Sequence, residues 1–390
     1  MIIIDGHLDL SWNALQGNRN LLQSVEKTRK AEGESKHTTT VALPEMKKAN
    51  ITIAFATLFA RSTGIPSPNV DYGSVAQANG IVEGQLGYYR ALEREGHVII
   101  IEGIELLQTH LQQWKKWEET QIGLPPPLGL IISMEGADPI SGADQLEDWV
   151  KKGLKLIGLS HYGVGRYGGG TGTEEGLSPL ALPFLTEMSR LGVILDLTHT
   201  SDTSFWQALE HYSGLVIASH SNCRTLVPNQ RQFSDQQLTA IFERDGVIGT
   251  AFDVWMLDPE WDKKKPDNST ITLETVANHI DHVCQLAGNP YHAAIGTDLD
   301  GGFGREQSPS DVDSIADLPK LTAILERRGY SSADITSIMY GNWYRVLEST
   351  WEYIAKLMTY FLRCTLFQRT LGHDFWHRSP NLYCEHKVCV

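Results

Sequence analysis

Cysteine is scarce in this chain and is not spaced for any common use. Five occur in 390 residues, no two of them as CxxC, and Cys364, Cys384 and Cys389 all fall in the segment 355–390. An odd count without a recognisable secretory leader argues against a disulfide framework. Basic charge is also short: 33 Lys and Arg face 47 Asp and Glu, a net −14, which excludes the basic face that nucleic acid requires. No apolar run reaches the about 20 residues needed to span a bilayer. The first residues show neither a basic n-region nor a cleavage site, so the expected compartment is the cytoplasm, with no membrane anchor. No GxGxxG follows the first apolar run, and no Gly-Lys-Ser/Thr follows Gly168-Gly169-Gly170. Dinucleotide and P-loop sites therefore drop out, and the glycine triplet reads as a mobile active-site loop.

What the chain does contain is a series of short, continuous apolar runs. They lie at Ile2–Ile4, Ile51–Leu58, Leu128–Ser133, Leu154–Ser160, Val193–Thr198, Leu215–Ser219, Val247–Ala251 and Ala293–Thr297. Such runs suit parallel strands covered on both faces. Helical stretches fall between several of them: Thr272 can cap a helix through Leu286 that stops at Gly288, Ser234 another, and Ser332 one running to about Leu347. Eight strands alternating with helices predict an α/β fold, a (β/α)8 TIM barrel with insertions, with a doubly wound open sheet as the runner-up. A ninth candidate strand, His97–Ile101, is assigned to an insertion before the third barrel strand. Asn18–Lys36 reads as a polar loop. The barrel domain is expected to occupy 1–354. The segment 355–390, with five basic residues against two acidic, is expected to be a poorly packed extension.

Ionisable residues mark the ends of these runs. His7 and Asp9 follow the first, Glu135 the third, His161 the fourth, His199 the fifth, His220 the sixth and Asp298 the eighth. In a barrel, these strand ends converge on one mouth, where active sites lie. In a strand, residues i and i+2 share a face, so His7 and Asp9 can chelate one ion. Glu135 can bridge to a second ion held by His199 and His220, and mixed imidazole and carboxylate ligation suits zinc, with manganese, cobalt or iron as alternatives. Singly, each residue has a plainer explanation. An HxD match is common by chance, and a strand-end histidine is more often a hydrogen-bonded structural residue. Asp196 reads as buried and hydrogen-bonded. His37, His97, His110, His211, His279, His282, His292, His373, His377 and His386 read as structural or solvated. The repetition of an apolar run followed by His or acid carries the inference.

Five segments in the same order resemble the membrane dipeptidase (renal dipeptidase) family, the M19 metallopeptidases of the amidohydrolase superfamily. They are Asp5-Gly6-His7-Leu8-Asp9-Leu10, Ser133-Met134-Glu135-Gly136, Leu195-Asp196-Leu197-Thr198-His199, Ala218-Ser219-His220-Ser221 and Gly296-Thr297-Asp298-Leu299-Asp300-Gly301. The resemblance extends from residue 1 to about Trp351. It implies a (β/α)8 barrel with two zinc ions, one held by His7, Asp9 and Glu135, the other by Glu135, His199 and His220. It further implies that His161 polarises the substrate and that Arg231 holds its carboxylate, with Arg224 nearby. Asp298 would shuttle the proton.

The implied activity is zinc-dependent hydrolysis of dipeptides, including those with D-configured C-terminal residues, by water activated between the ions. A homodimer is expected from the family alone. Two rival readings remain: a metal hydrolase of other amides, lactones or esters, and a catalytically silent homologue that binds a metabolite. The second is disfavoured because every ligand position and Asp298 carry competent residues.

Overall fold

A computed structural model describes residues 1–33, 37–262, 264 and 267–352, so the expected extension at 355–390, with its three cysteines, lies outside the described residues. Among the described residues nine strands form: β1 (Ile3–Leu8), β2 (Ile51–Phe59), β3 (Val98–Ile100), β4 (Leu128–Glu135), β5 (Leu154–Gly158), β6 (Ile194–Asp196), β7 (Val216–Ile217), β8 (Ile248–Thr250) and β9 (Ala293–Ile295). All the strand pairings are parallel, in the order β1-β2-β4-β5-β6-β7, with β8-β9 as a separate pair. Every residue of β2 and β4 is buried, as expected of strands covered on both faces.

The architecture is an α/β fold whose strands make a parallel half-barrel sheet. Regular pairing stops at two places. Between β7 and β8 an isolated bridge joins Ala218 to Ile248, with Gly249 N donating to Ala218 O at 2.7 Å. At the β9–β1 edge a side chain replaces the ladder. The Asp5 carboxylate accepts from Thr297 N (2.9 Å) and Thr297 Oγ1 (2.7 Å), and Asp298 N donates to His7 O at 3.3 Å. Burial raises the Asp5 carboxyl to about 6, against these hydrogen bonds.

The interior is tight. A Cβ on Gly249 or Gly296 would lie 1.9 or 1.8 Å from the carbonyl oxygen of Ser219. A Cβ on Gly6 would lie 2.5 Å from the Trp343 ring, which is fully buried and donates its indole N–H to Ile295 O at 2.8 Å. These glycines are required by close approach, not by turns.

Several expectations change in detail. The candidate at His97–Ile101 forms a short strand off the main path: β3 pairs in parallel with the first half of β4, while β2 pairs with β4 directly. It fits there because β5 joins β4 only from Ile132 onward. The supposed loop at Asn18–Lys36 contains a helix, Val25–Glu32, capped by Ser24, whose side chain accepts from Lys27 N. Its Glu26–Lys30 pair and buried Val25 supply what composition alone conceals. The helix expected from Ser332 starts one residue earlier, on a capping box of Ser331 and Asp334, and passes through a π turn at Ser337–Gly341. The helices after Thr272 and Ser234 form with those residues as caps.

Candidate active site

The strand ends bring the predicted residues together. Three groups have mutually close ligand atoms: His7, Asp9 and Glu135; Glu135, His199 and His220; and His7, His220 and Asp298. Glu135, the last residue of β4, stands at their centre. Its Oε2 lies 3.8 Å from His7 Nε2, while its Oε1 lies 3.2 Å from His199 Nε2 and 3.3 Å from His220 Nε2. The two histidine nitrogens are themselves 3.2 Å apart. Asp9 Oδ2 and Asp298 Oδ1 lie 3.8 and 3.9 Å from His7 Nε2.

The far side of each ring explains these orientations. His199 Nδ1 meets Thr171 Oγ1 at 3.0 Å, His220 Nδ1 meets Ser219 Oγ at 2.9 Å, and His7 Nδ1 meets Thr57 Oγ1 at 3.4 Å. A hydroxyl can accept from Nδ1–H, which leaves the Nε2 lone pair facing inward, as a metal requires. His161 is different. Its Nδ1 faces Arg61 Nη1 at 3.5 Å, and a guanidinium only donates. Its Nε2 therefore carries the hydrogen, directed toward the cavity and 3.6 Å from Glu135 Oε1. Burial, then the charges of Arg61 and Arg231, push His161 well below the usual histidine range, so it is a neutral donor.

The donor set fits divalent metal. Ligands about 2.0–2.1 Å from a tetrahedral ion lie about 3.3 Å from one another, and the triangle of Glu135 Oε1, His199 Nε2 and His220 Nε2 has edges of 3.2 to 3.3 Å. His7 Nε2 and Asp9 Oδ1 are buried and lack hydrogen-bond partners among the described residues. Burial pushes Glu135 up to about 8 and Asp298 well above the usual carboxylate range, costs that a cation would offset.

Backbone strain sits here too. His199 and Asp298 have φ of 66° and 58°, in the left-handed region that non-glycine residues rarely adopt. The glycine triplet is packed against the site: Gly170 bridges to Thr200, and a Cβ on it would lie 1.9 Å from His161 O. Close approach, more than mobility, accounts for these glycines.

Arg231 is 2% exposed and donates through Nη2 to His220 O at 2.9 Å, leaving Nη1 buried without a partner among the described residues. Arg224, its neighbour in sequence, is occupied by a two-pronged pair with Asp202 at 2.7 and 2.8 Å. The plain readings hold for Asp196, which accepts from Thr198 N and Ser219 N, and for His110, bonded to Thr52 O. They hold also for His279, His282 and His292, which pair with Cys223 N, Asp235 and Gly246 O. His37 lies at the edge of the cavity and pairs with Glu306.

The cavity over the cluster has a volume of about 730 Å³. Glu135, His161, His199, Arg231 and Asp298 all reach it. Sequence reading did not single out Arg61, which faces His161, or the cavity lining from Asp253, Phe59, Trp255, Met256 and Trp261.

Comparison with known proteins finds a family and several relatives of this chain. The family model described as membrane dipeptidase (peptidase family M19) matches residues 1–360. An uncharacterised Klebsiella pneumoniae protein from a pqqA 5' region is 28% identical over 58% of this chain and 83% of its own length. Dipeptidase aclJ of Aspergillus oryzae is 30% identical over 60% of this chain; the match spans 54% of that protein, about half its length. Among solved structures, the M19 metallopeptidase dipeptidase AC superposes with a TM-score of 0.71 at 25% identity, covering 90% of this chain and 99% of that one. A Rhodobacter sphaeroides metallopeptidase, solved with a phosphinate mimic of the dipeptide L-Ala-D-Ala, shares the fold at a TM-score of 0.71, 24% identity, and 90% and 99% coverage. With its model matched along all the described residues, this protein belongs to the membrane dipeptidase family, peptidase family M19.

Proposed function

We propose that the protein is a zinc-dependent dipeptidase acting at a two-ion site at the mouth of a closed (β/α)8 barrel, with 1–354 as its catalytic domain. The convergence of His7, Asp9, His199 and His220 on the two oxygens of Glu135 carries this reading. His7, Asp9 and Glu135 would hold one ion; Glu135, His199 and His220 the other. When bound, such ions polarise the substrate carbonyl and lower the pKa of a water from about 15.7 toward 7.

The protein's own groups complete the reaction. His161, neutral and with Nε2–H toward the cavity, stabilises the negative charge that develops on the carbonyl oxygen. Asp298, which burial disposes to hold a proton, takes one from the attacking water and returns it to the leaving amine. Arg231 offers its unpartnered Nη1 to the terminal carboxylate of a short substrate. The test is a panel of dipeptides with L- and D-configured C-terminal residues, assayed with zinc and with chelator. Chelator-sensitive cleavage is expected, and ester or lactone turnover without dipeptide cleavage would favour the wider amidohydrolase reading.

Two expected outcomes follow from particular groups. C-terminal amidation of a good dipeptide substrate should lower kcat/KM about 10- to 100-fold, the worth of a charged hydrogen bond. In Arg231→Ala that penalty should shrink toward unity, as comparison of the paired kcat/KM values will show.

The metal-free protein should also lose stability as pH rises from about 6.5 to 8. Over that range folded Glu135 holds a proton until about 8 and folded His7 until about 10, whereas the unfolded chain releases both earlier. The folded state then binds more protons than the unfolded chain, so stability falls across this window. His161, His199 and His220 are lowered and act in the opposite sense, but only below their unfolded pKa of about 6.5. Zinc loading removes the protons and should flatten the profile, as urea titrations at several pH values with and without metal will show.

A further inference from the structure

One acid on the cavity wall plays no part in the scheme above. Asp253 follows β8 and is 7% exposed, lining the cavity beside Trp255, Met256 and Trp261. Its hydrogen-bond donors are neutral: Gln307 Nε2 donates to Oδ1 at 2.7 Å and Trp255 N at 3.4 Å, and the Trp255 side chain is a further neutral donor. Burial pushes its carboxyl up to about 7, and the Arg231 guanidinium is the weakest of the influences that oppose this. A buried carboxylate with neutral partners and open cavity beside it gains most from a cation supplied from outside.

The order of strands indicates which part of the substrate would supply that cation. β8 is bridged to β7 on one side and paired with β9 on the other. Arg231, which would hold the terminal carboxylate, lies in the segment after β7, and Asp298, which would protonate the leaving amine, follows β9. Carboxylate and leaving amine belong to the same, C-terminal residue, so Asp253 stands beside that residue's side chain. We propose that Asp253 selects dipeptides whose C-terminal residue carries a cationic side chain, such as lysine, ornithine or arginine. This rests on the dipeptidase reading. The methylene stem would lie along Trp255, Met256 and Trp261, with the charged end on the carboxylate.

The test compares alanyl-lysine with alanyl-norleucine, which has a similar stem and no charge, in both L and D series on the zinc-loaded full chain. The wild-type enzyme should favour lysine at least tenfold in kcat/KM, and Asp253→Asn should bring that ratio close to unity. The wild-type ratio needs no variant, and turnover of alanyl-norleucine by Asp253→Asn reports that the variant is folded. Equal wild-type values, or a preference that survives in Asp253→Asn, would overturn the assignment while leaving the dipeptidase reading intact. Failure of the wild-type enzyme to cleave either dipeptide would overturn both.

Discussion

Asp298→Asn should lower kcat by about 10²- to 10⁴-fold, the usual worth of a positioned acid–base group, while the protein keeps its metal. The substitution is close to isosteric, and asparagine tolerates the left-handed backbone that Asp298 adopts at φ 58°. The packing around the side chain also survives: Gly301, whose Cβ would lie 1.8 Å from Oδ1, still clears it. What disappears is the proton. Burial raises Asp298 well above the ordinary carboxylate range, with Asp9 and Glu135 adding to the rise and His7 opposing it. An amide cannot cycle between acceptor and donor in that way. Metal is retained because His7, Asp9, Glu135, His199 and His220 fill both triads without it. Kinetics and metal analysis on the same preparation decide the matter, and near-normal turnover would remove the proton shuttle from the mechanism.

Glu135→Gln should have the larger effect, a loss of kcat/KM of at least about 10⁴-fold, together with loss of at least one ion. One carboxylate oxygen faces His7 and the other faces His199 and His220, at 3.8, 3.2 and 3.3 Å. A glutamine can present its oxygen to one triad only, and its NH₂ group then faces the other as a donor where a ligand is needed. The metal-free variant should nevertheless be at least as stable as metal-free wild type. Burial raises Glu135 to about 8, so near and above that pH its ionised form is a cost to folding which the amide does not carry. Thermal unfolding in chelator at pH 8, beside metal content and kcat/KM, separates these effects. A less stable metal-free variant would contradict the assignment of Glu135 as a residue kept for its ligands.

The site was more legible than its surroundings, for a physical reason. The positions of the clustered His and acidic residues are fixed by the apolar runs that precede them, and a parallel strand that delivers a side chain to the mouth leaves its pattern in consecutive residues. His199 and His220 could be found in this way, and Asp196 could be set apart as structural. Groups that act across the chain leave no such pattern. Thr171 orients His199 from 28 positions away, and Arg61 lies 100 positions from the ring whose hydrogen it places. Asp5 looks like part of the first motif but works at the strand edge with Thr297, 292 residues on. The helix at Val25–Glu32 was hidden because its polar face dominates its composition; β3 was legible as a candidate strand at His97–Ile101, but three residues carry no sign of which strand they pair with. Nor does any sequence pattern reveal that His199 and Asp298 occupy left-handed backbone.

The most direct test of the account is a zinc titration of metal-free full-length protein, following hydrolysis of L-alanyl-D-alanine as metal is added. The account predicts no turnover without metal and activity that rises to a plateau at two equivalents per chain. Undiminished hydrolysis in the metal-free protein, or zinc binding that brings no dipeptide cleavage, would contradict it.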